Sequence, residues 1–356
     1  MPVQRIGLVV HRGRGAAVDA ADTVHAWCGA NGVTCTEIDV WSEDHQRRSG
    51  REEAHAAGDP DLVVTLGGDG TFLRGARIAV KIGACVLGVD AGGRVGFLTE
   101  VPADATGAAL DAVHAGRALV EDRMTLTMRA SRPPQMPADM ESLLHYGRVP
   151  ALPPPDVRPA SARAEDWGVA LDVNALNDVV VEKLARDHQV SAGVYLAGRL
   201  LASYSADALA IATPTGSTAY SFSAGGPVLS PHMDAVVFTP IAPHMPFDRS
   251  IVAAPDEAVI VRILPHSGRA AVSIDGELRA VLDPGDWIAA FRAPDPVRLI
   301  RLEPTDFYGR LRNRFHLADA PATAVDDDLA PVMRPPDRPV PPDLAGLRLP
   351  PSNPGR

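Results

Sequence analysis

The stretch LVVTLGGDGTFLRGA at 62–76 constrains this chain more than any other. Residues 62–66 are continuously apolar and rich in β-branched side chains, the pattern of a strand buried on both faces of a parallel sheet. Gly67, Gly68 and Gly70 then surround one acid, Asp69, in a loop where missing side chains let the backbone turn sharply and a ligand come close. Thr71 is placed to cap a helix, and Phe72, Leu73, Ala76, Ile78, Ala79 and Val80 recur as that helix packed on a sheet. The loop thus sits where a helix N-terminus offers free N–H groups, which suit an anion. Taken alone, Gly-Gly-Asp-Gly is also readable as a tight strand-to-helix turn whose aspartate bonds its own backbone. A Walker-type loop is excluded, because no lysine and hydroxyl pair follows the glycines at the required spacing. If the loop handles phosphate, Asp69 is its chemical residue.

The same alternation of strand and helix continues on both sides. Residues 5–10 read as a buried strand, 18–30 as a helix, 33–40 as a second strand and 42–57 as a loop or surface helix. After the 62–76 unit, 84–89 is another short buried strand, followed by a second glycine-rich turn at 90–98 and a helical segment at 103–115. This order implies a parallel sheet, in which ligands sit at the carboxyl ends of the strands, where both glycine turns fall. From 119 the texture changes to short alternating stretches between glycine and proline turns. Strands are expected at 124–129, 170–173, 179–182, 194–196, 208–213, 251–253, 259–264, 270–274 and 287–291, which makes a mostly-β second domain. Two segments lack either period and are rich in proline: a mobile insertion at 131–166 and a disordered tail at 319–356.

Length and charge narrow the partners. A chain of 356 residues with 46% apolar and 22% charged residues has material for two domains with sizeable cores. Its formal net charge of −10, without a basic run, argues against a nucleic-acid partner. Cys28, Cys35 and Cys85 show no metal-ligand spacing, and no metal site is nominated from protein side chains. Residues 1–10 lead straight into a strand-like run without a signal-peptide pattern, so a cytoplasmic compartment is expected. No apolar run approaches the roughly 20 residues that span a bilayer, so no membrane partner is expected.

Four stretches in this order are far more specific than any one: GGDGTFLRGA at 67–76, GRVGFLTE at 93–100, ALNDVVVEK at 175–183 and ATPTGSTAYSFSAGGPVLSP at 212–231. Together with SIDGE at 273–277 and FYGRLRNRF at 307–315, the set resembles the NAD kinase family, over about residues 5–317 apart from the insertion. The resemblance implies an N-terminal Rossmann-like α/β domain at 1–115, joined by a return segment at 295–318. It also implies a C-terminal mostly-β, sandwich-like nucleotide-binding domain at 116–294. The implied activity is transfer of a phosphoryl group to the 2′-hydroxyl of the adenosine ribose of NAD, from ATP or polyphosphate with Mg2+ on the donor phosphates.

By the same resemblance Asp69 accepts the proton of the ribose hydroxyl, and Gly68, Gly70, Thr71 and Phe72 surround the phosphates. Asn177 and Asp178 match an Asn-acid pair that reads the nucleotide, although the usual acid there is glutamate. Thr213, Thr215, Ser217, Thr218, Ala219 and Tyr220 match the adenine and ribose loop. Asp207 matches an acid that reaches the nicotinamide end from a neighbouring subunit, which implies a homo-oligomer, a dimer or tetramer; Ala206 and Ala208 replace the usual flanking glycines. Asp275 matches an acid near the reacting phosphate, although in isolation Asp-Gly is a hairpin turn. Asp90 stands where the family usually has asparagine. Three other readings share parts of this pattern: a kinase of the same fold acting on another adenosine-like acceptor, a lipid kinase of the diacylglycerol or sphingosine type, and a nucleotide sensor without turnover. The 212–226 loop disfavours a lipid acceptor, since no stretch offers a long apolar lining, and Asp69 disfavours a sensor.

Overall fold

The strand β1 (Arg5–Val10) is buried at every residue but Arg5 and leads into α1 (Gly15–Asn31), whose apolar stripe of Ala17, Ala20, Ala21, Val24 and Cys28 lies at helical spacing. The computed structural model describes residues 3–41, 50–92, 96–133, 168–184 and 188–317. The chain forms two compact units, Met1–Thr305 and Asp306–Arg356. In the first, β2 (Thr34–Glu37), α2 (Gly50–Ala56), β3 (Leu62–Gly67), α3 (Asp69–Val80) and β4 (Cys85–Asp90) complete a run of βα units. Strands β2, β1, β3 and β4 are adjacent in that order and all parallel, with Leu66 of β3 opposite Val10 on one side and Val89 on the other. β3 is buried at all its residues, which is why its sequence shows no alternation. After β4 come the two-residue β5 (Val101–Pro102), α4 (Thr106–His114) and β6 (Leu119–Arg123).

A second layer system follows. β7 (Leu126–Ala130), β8 (Val169–Ala175), β9 (Asp178–Lys183), β10 (Val190–Leu196), β11 (Arg199–Ala206) and β12 (Ala208–Ala212) precede the short α5 (Tyr220–Ser223). Then come β13 (Val236–Ile241), β14 (Ile251–Ala253), β15 (Val259–Ile263), β16 (Ala270–Ile274), β17 (Glu277–Leu282) and β18 (Trp287–Arg292). They form two antiparallel sheets, ordered β11-β10-β15-β18-β7-β8 and β14-β13-β12-β9-β16-β17. Alternate residues such as Leu126, Met128, Val179, Val181, Leu209 and Ile211 point into one shared core, so the expected β-sandwich is present.

The chain then returns. β19 (Val297–Arg301) lies between β4 and β6 in the first sheet, parallel to β4 and antiparallel to β6. β19 and β5 meet the same side of β4 at opposite ends, β19 beside Cys85 and Val86 and β5 beside Val89 and Asp90. In the second unit, α6 (Phe307–Arg314) is capped by Asp306, whose carboxylate accepts from Gly309 N at 2.8 Å.

The fold is therefore an α/β domain with a parallel sheet followed by a mostly-β domain of antiparallel sheets, and three details differ from the sequence reading. β6 lies beyond residue 115 yet belongs to the first sheet; its sequence LVEDR is largely exposed and polar, so it carries no hydrophobic signature. Strands β11, β13 and β17 also escape the pattern reading; each pairs antiparallel with the strand before it, β10, β12 and β16 in turn. The insertion begins in contact with the sandwich, since Ser131 N donates to Trp287 O and Arg132 pairs with Asp286 at 2.7 Å. Its remainder from 134 to 166 and the tail at 319–356 lie outside the described residues.

Leu299 in β19 is fully buried in the core that also holds Val63, Phe72 and Val86. Leu299→Ala is expected to lower unfolding stability by about 2–5 kcal/mol, read as a shifted denaturant midpoint. A loss below about 0.5 kcal/mol would show that the return strand is not part of this core.

Candidate active site

Helix α3 starts at Asp69, with Gly68 as its extended N-cap (φ −101°, ψ −169°). The N–H groups of Thr71 and Phe72 both donate to Gly68 O, at 2.9 and 3.1 Å. Thr71 therefore does not cap the helix; it lies inside the first turn and is buried. Phe72 is fully buried among Ala76, Val86, Leu98 and Leu176, so its side chain serves the core. Gly68 and Gly70 are different: a Cβ on Gly70 would meet nothing within 4 Å, and one on Gly68 only the Arg14 guanidinium, 4.0 Å away. The glycine face is open to a ligand.

The Asp69 carboxylate is held by the second glycine-rich turn. It accepts from Phe97 N at 3.1 Å through Oδ2, and from Leu98 N and Thr99 N at 3.2 and 3.4 Å through Oδ1. A carboxylate has about four lone-pair positions, so acceptor capacity remains on Oδ2. This turn can approach so closely because residue 96 is glycine; a Cβ there would fall inside the Asp69 carboxylate. Residues 93–95 lie outside the described residues, and Asp90 closes the start of the turn by accepting from Gly92 N at 2.9 Å.

The sandwich contributes a second acid-centred turn. Asp275 and Gly276 have φ of +50° and +78° and join β16 to β17 as a two-residue hairpin turn. The Asp275 carboxylate leaves that hairpin to accept from Leu176 N, Asn177 N and Asp178 N at 2.9, 2.7 and 3.1 Å. It is at once a turn residue and the anchor of the Asn177–Asp178 pair. Asp178 is buried, and burial together with the nearby charge of Asp275 pushes its carboxyl up to about 7, against a backbone hydrogen bond from Tyr220.

The 213–220 loop packs on the same pair. Thr213 N donates to Asn177 O, and Thr213 Oγ1 donates to Leu176 O while accepting from Gly216 N at 3.0 Å. Ser217 Oγ donates to Pro214 O and accepts from Leu229 N at 2.9 Å, and Thr215 Oγ1 accepts from Arg123 at 3.3 Å. Thr213, Thr215 and Ser217 are buried, so these hydroxyls shape the loop. Thr218 Oγ1 also bonds within it, to Thr215 O at 3.2 Å, and Ala219 N donates to Gly216 O at 2.9 Å. Tyr220 is 43% exposed, and its phenol is shifted up by burial and by the carboxylates of Glu182, Asp207 and Asp178. Asp207 lies at the other end of β12 from Thr213, paired with Lys183 at 2.6 Å. Ala206 and Ala208 beside it are buried without a positive φ, so the backbone there tolerates alanine.

A cavity of about 330 Å³ is walled by Gly68 and Gly70 on one side and by Asn174, Asp275 and Gly276 on the other. Arg14, Arg74, Arg77 and Arg279 also line it. Glu277 offsets part of their charge, pairing with Arg74 and Arg279 and standing 3.8 Å from Arg77, which also binds the buried Glu53 at 2.9 Å. Burial and the adjacent Arg77 lower Arg279 to about 10. The Nε atoms of Arg77 and Arg279 are buried without a hydrogen-bond partner. Among the described residues no group of three or more His, Cys, Asp or Glu could hold a metal.

Two family models match the chain: the ATP-NAD kinase N-terminal domain over residues 6–118 and the ATP-NAD kinase C-terminal domain over residues 176–302. "NAD kinase 1" of Streptomyces coelicolor is 64% identical over 350 residues, 98% of this chain and 96% of that protein. The chain belongs to the NAD kinase family. The NAD kinase of Thermobifida fusca is 33% identical over 87% of this chain and 88% of its own length. Among solved structures, the fold is similar to yeast NADH kinase complexed with NADH (TM-score 0.66, 21% identity, 90% of this chain and 89% of that one). It is also similar to an Archaeoglobus fulgidus NAD kinase in complex with ATP (TM-score 0.59, 23% identity, 88% and 98%). These two likenesses show the shared fold.

Within the family pattern, the sequence reading missed the arginines of the cavity. Arg74 and Arg77 carried a signal, because three residues apart on the helix that starts at Asp69 they share one face. Arg14 and Arg279 carried none, since only the folded chain brings them to that helix. Gly216 packs its Cα against the Asn177 backbone so closely that a Cβ would overlap Asn177 O and C. Gly216→Ala is expected to lower stability by about 1–3 kcal/mol, measured by chemical denaturation, because the obstacle is backbone and cannot rotate away. An unchanged midpoint would contradict the packing of this loop on Asn177.

Proposed function

We propose that this chain is an NAD kinase that transfers the terminal phosphoryl group of ATP to the 2′-hydroxyl of the adenosine ribose of NAD, giving NADP. The observation that carries the reading is the meeting at one cleft of the Asp69 helix start, its open glycine face and the lining arginines, with the Asp275 turn that holds Asn177 and Asp178. The donor phosphates lie in the arginine-lined cavity against the N–H groups around Gly68 and Gly70, within reach of Arg74, Arg77 and Arg279. The acceptor ribose lies on the side of Asn177, Asp178 and Tyr220, with Asp178 accepting from its hydroxyls and Thr213, Thr215, Ser217, Thr218 and Ala219 giving the loop its shape.

Asp69 takes the proton of the attacking hydroxyl as the new O–P bond forms and the donor P–O bond breaks, with ADP leaving. The charge that spreads over the phosphoryl oxygens is met by fixed N–H dipoles and guanidiniums, which are already oriented before the reaction. Mg2+ would be held chiefly by the donor phosphates: Asp275 already accepts three N–H groups, with capacity left on Oδ2, and Glu277 is paired with arginines. When bound, it supplies neutralisation of the donor phosphates. We include in the proposal a homo-oligomer in which Asp207 serves a neighbouring subunit's site, and a cytoplasmic setting. Among the described residues no helix is long and apolar enough to cross a membrane.

The test is to incubate the protein with Mg2+, ATP or polyphosphate and separate acceptors, NAD, NADH, adenosine and a diacylglycerol, and to weigh the products. A gain of one phosphoryl group on NAD is expected, and phosphorylation of another acceptor with NAD untouched would overturn the reading. Asp69→Asn is expected to lower turnover by about 10² or more with the fold intact by circular dichroism; wild-type turnover in that variant would remove Asp69 from the chemistry. Because burial raises Asp178, it is largely protonated below about pH 7 and ionised above. A carboxylate accepts ribose hydroxyls better than a carboxylic acid does, so KM for NAD is expected to rise as pH falls through 7, and to lose this dependence in Asp178→Asn. A wild-type KM that stays flat through this range would contradict the assignment.

A further inference from the structure

Arg301, the last residue of β19, is 1% exposed and stands behind the loop that holds Asp69. Its Nη2 donates to Phe97 O at 3.4 Å and its Nη1 to Leu98 O at 3.3 Å. The peptide group that carries Phe97 O also carries Leu98 N–H, and the next one carries Leu98 O and Thr99 N–H. Those two N–H groups both donate to Asp69 Oδ1, at 3.2 and 3.4 Å. Two consecutive peptide groups are thus clamped between a buried guanidinium at their oxygens and the Asp69 carboxylate at their hydrogens. A cation on the carbonyl side polarises each peptide and strengthens the bond its N–H makes.

The guanidinium is itself fixed. Its Nη1 donates to Glu100 at 2.8 Å and its Nε to Glu121 at 2.7 Å, so the buried charge is matched. Glu121, on β6, also pairs with Arg123 at 2.7 Å and accepts from Thr305 at 3.0 Å. Burial raises the Glu121 carboxyl, but Arg123 and Arg301 outweigh it and hold the group below the usual range. Arg123 in turn donates to Thr215 Oγ1 at 3.3 Å, in the loop that packs on Asn177. His232, 60% exposed, stands 3.7 Å from Glu121.

We propose that Arg301 is a positioning residue for Asp69, acting through the peptide groups between Phe97 and Thr99, and that Glu121 and Arg123 tie this arm to the 213–220 loop. The two loops that meet the acceptor from opposite sides are therefore set by one buried Arg301–Glu121–Arg123 bridge. This rests on the reading of Asp69 as the base. A guanidinium serving the fold alone would need only the two glutamates, whereas the carbonyl contacts reach the reacting group.

The bridge predicts that its two arms move different constants. Arg301→Lys, whose single ammonium cannot span both carbonyls and both carboxylates, is expected to lower kcat about tenfold or more while KM for NAD stays within about twofold. Arg123→Lys is expected to raise KM for NAD several-fold while kcat stays within about twofold. Both are measured well below the melting temperature of each variant, recorded in the same buffer. If a folded Arg301→Lys keeps wild-type kcat, or both variants move the same constant, the proposal is overturned. If Arg301→Lys does not fold, the isosteric Glu121→Gln replaces it and is expected to lower kcat and raise KM together; an unchanged pair of constants overturns the proposal. Asp69→Asn is run alongside: with its turnover lost and Arg301→Lys unaffected, the positioning role alone fails, and with its turnover kept, the reading of Asp69 fails first.

Discussion

The Asp69 carboxylate sits at the first turn of α3 with the peptides of residues 97–99 donating to it, and much of the molecule is arranged around that contact. Its position follows from β3, which is buried on both faces and delivers the chain to the carboxyl edge of the parallel sheet. Its partner loop follows from the split neighbours of β4, since β5 and β19 each cover only one end of that strand. The backbone of residues 96–100 runs through the region between them, Glu100 N donating to Gly88 O at 2.7 Å. An acid in the first turn of a helix is favoured by the helix dipole, so the proposed base also suits the fold.

A second acid, Asp275, does for the sandwich what the 97–99 peptides do for the sheet domain. Its carboxylate gathers three successive N–H groups and so fixes Asn177 and Asp178 at the mouth of β9. The two acid-centred turns come from residues about two hundred positions apart, and the arginines between them are offset only in part by Glu277 and Glu53. Lys81 at the end of α3 adds a further tie, donating to Asp172 at 2.8 Å and to Asn174 at 2.6 Å on β8. The ionic contacts thus join the helix that starts at Asp69 to both sheets of the sandwich, through Asp172 and Asn174 on β8 and Glu277 on β17.

How much of this was legible depended on range. The glycine loop, the parallel order and the change to short strands are local patterns, and the folded chain matches them at β1, β3, β4 and β12 within a residue or two. Asp275 was legible twice, as a hairpin residue and as a family landmark, and it is both a turn and an anchor. Local pattern failed where a side chain's role is set by a distant partner. Arg301 looks like an ordinary basic residue at a strand end, yet its contacts lie about 180 and 200 positions earlier. The hydroxyls of Thr213 and Ser217 look like ligand donors, yet a tight loop pressed against Asn177 consumes them in its own backbone. Thr71 looked like a cap because the sequence could not say that the Gly68 carbonyl would accept from the first turn.

In the proposed reaction these two turns place one hydroxyl, the ribose 2′-hydroxyl of NAD, between Asp69 and the donor phosphates. Phosphorus NMR of the purified product tests this most directly, because coupling of the new phosphomonoester to the ribose protons reports which oxygen was phosphorylated. The predicted result is a single new phosphomonoester coupled to the 2′ proton of the adenosine ribose. A phosphate on the 3′-oxygen or on the nicotinamide ribose, or release of inorganic phosphate without an NAD-derived product, would contradict it.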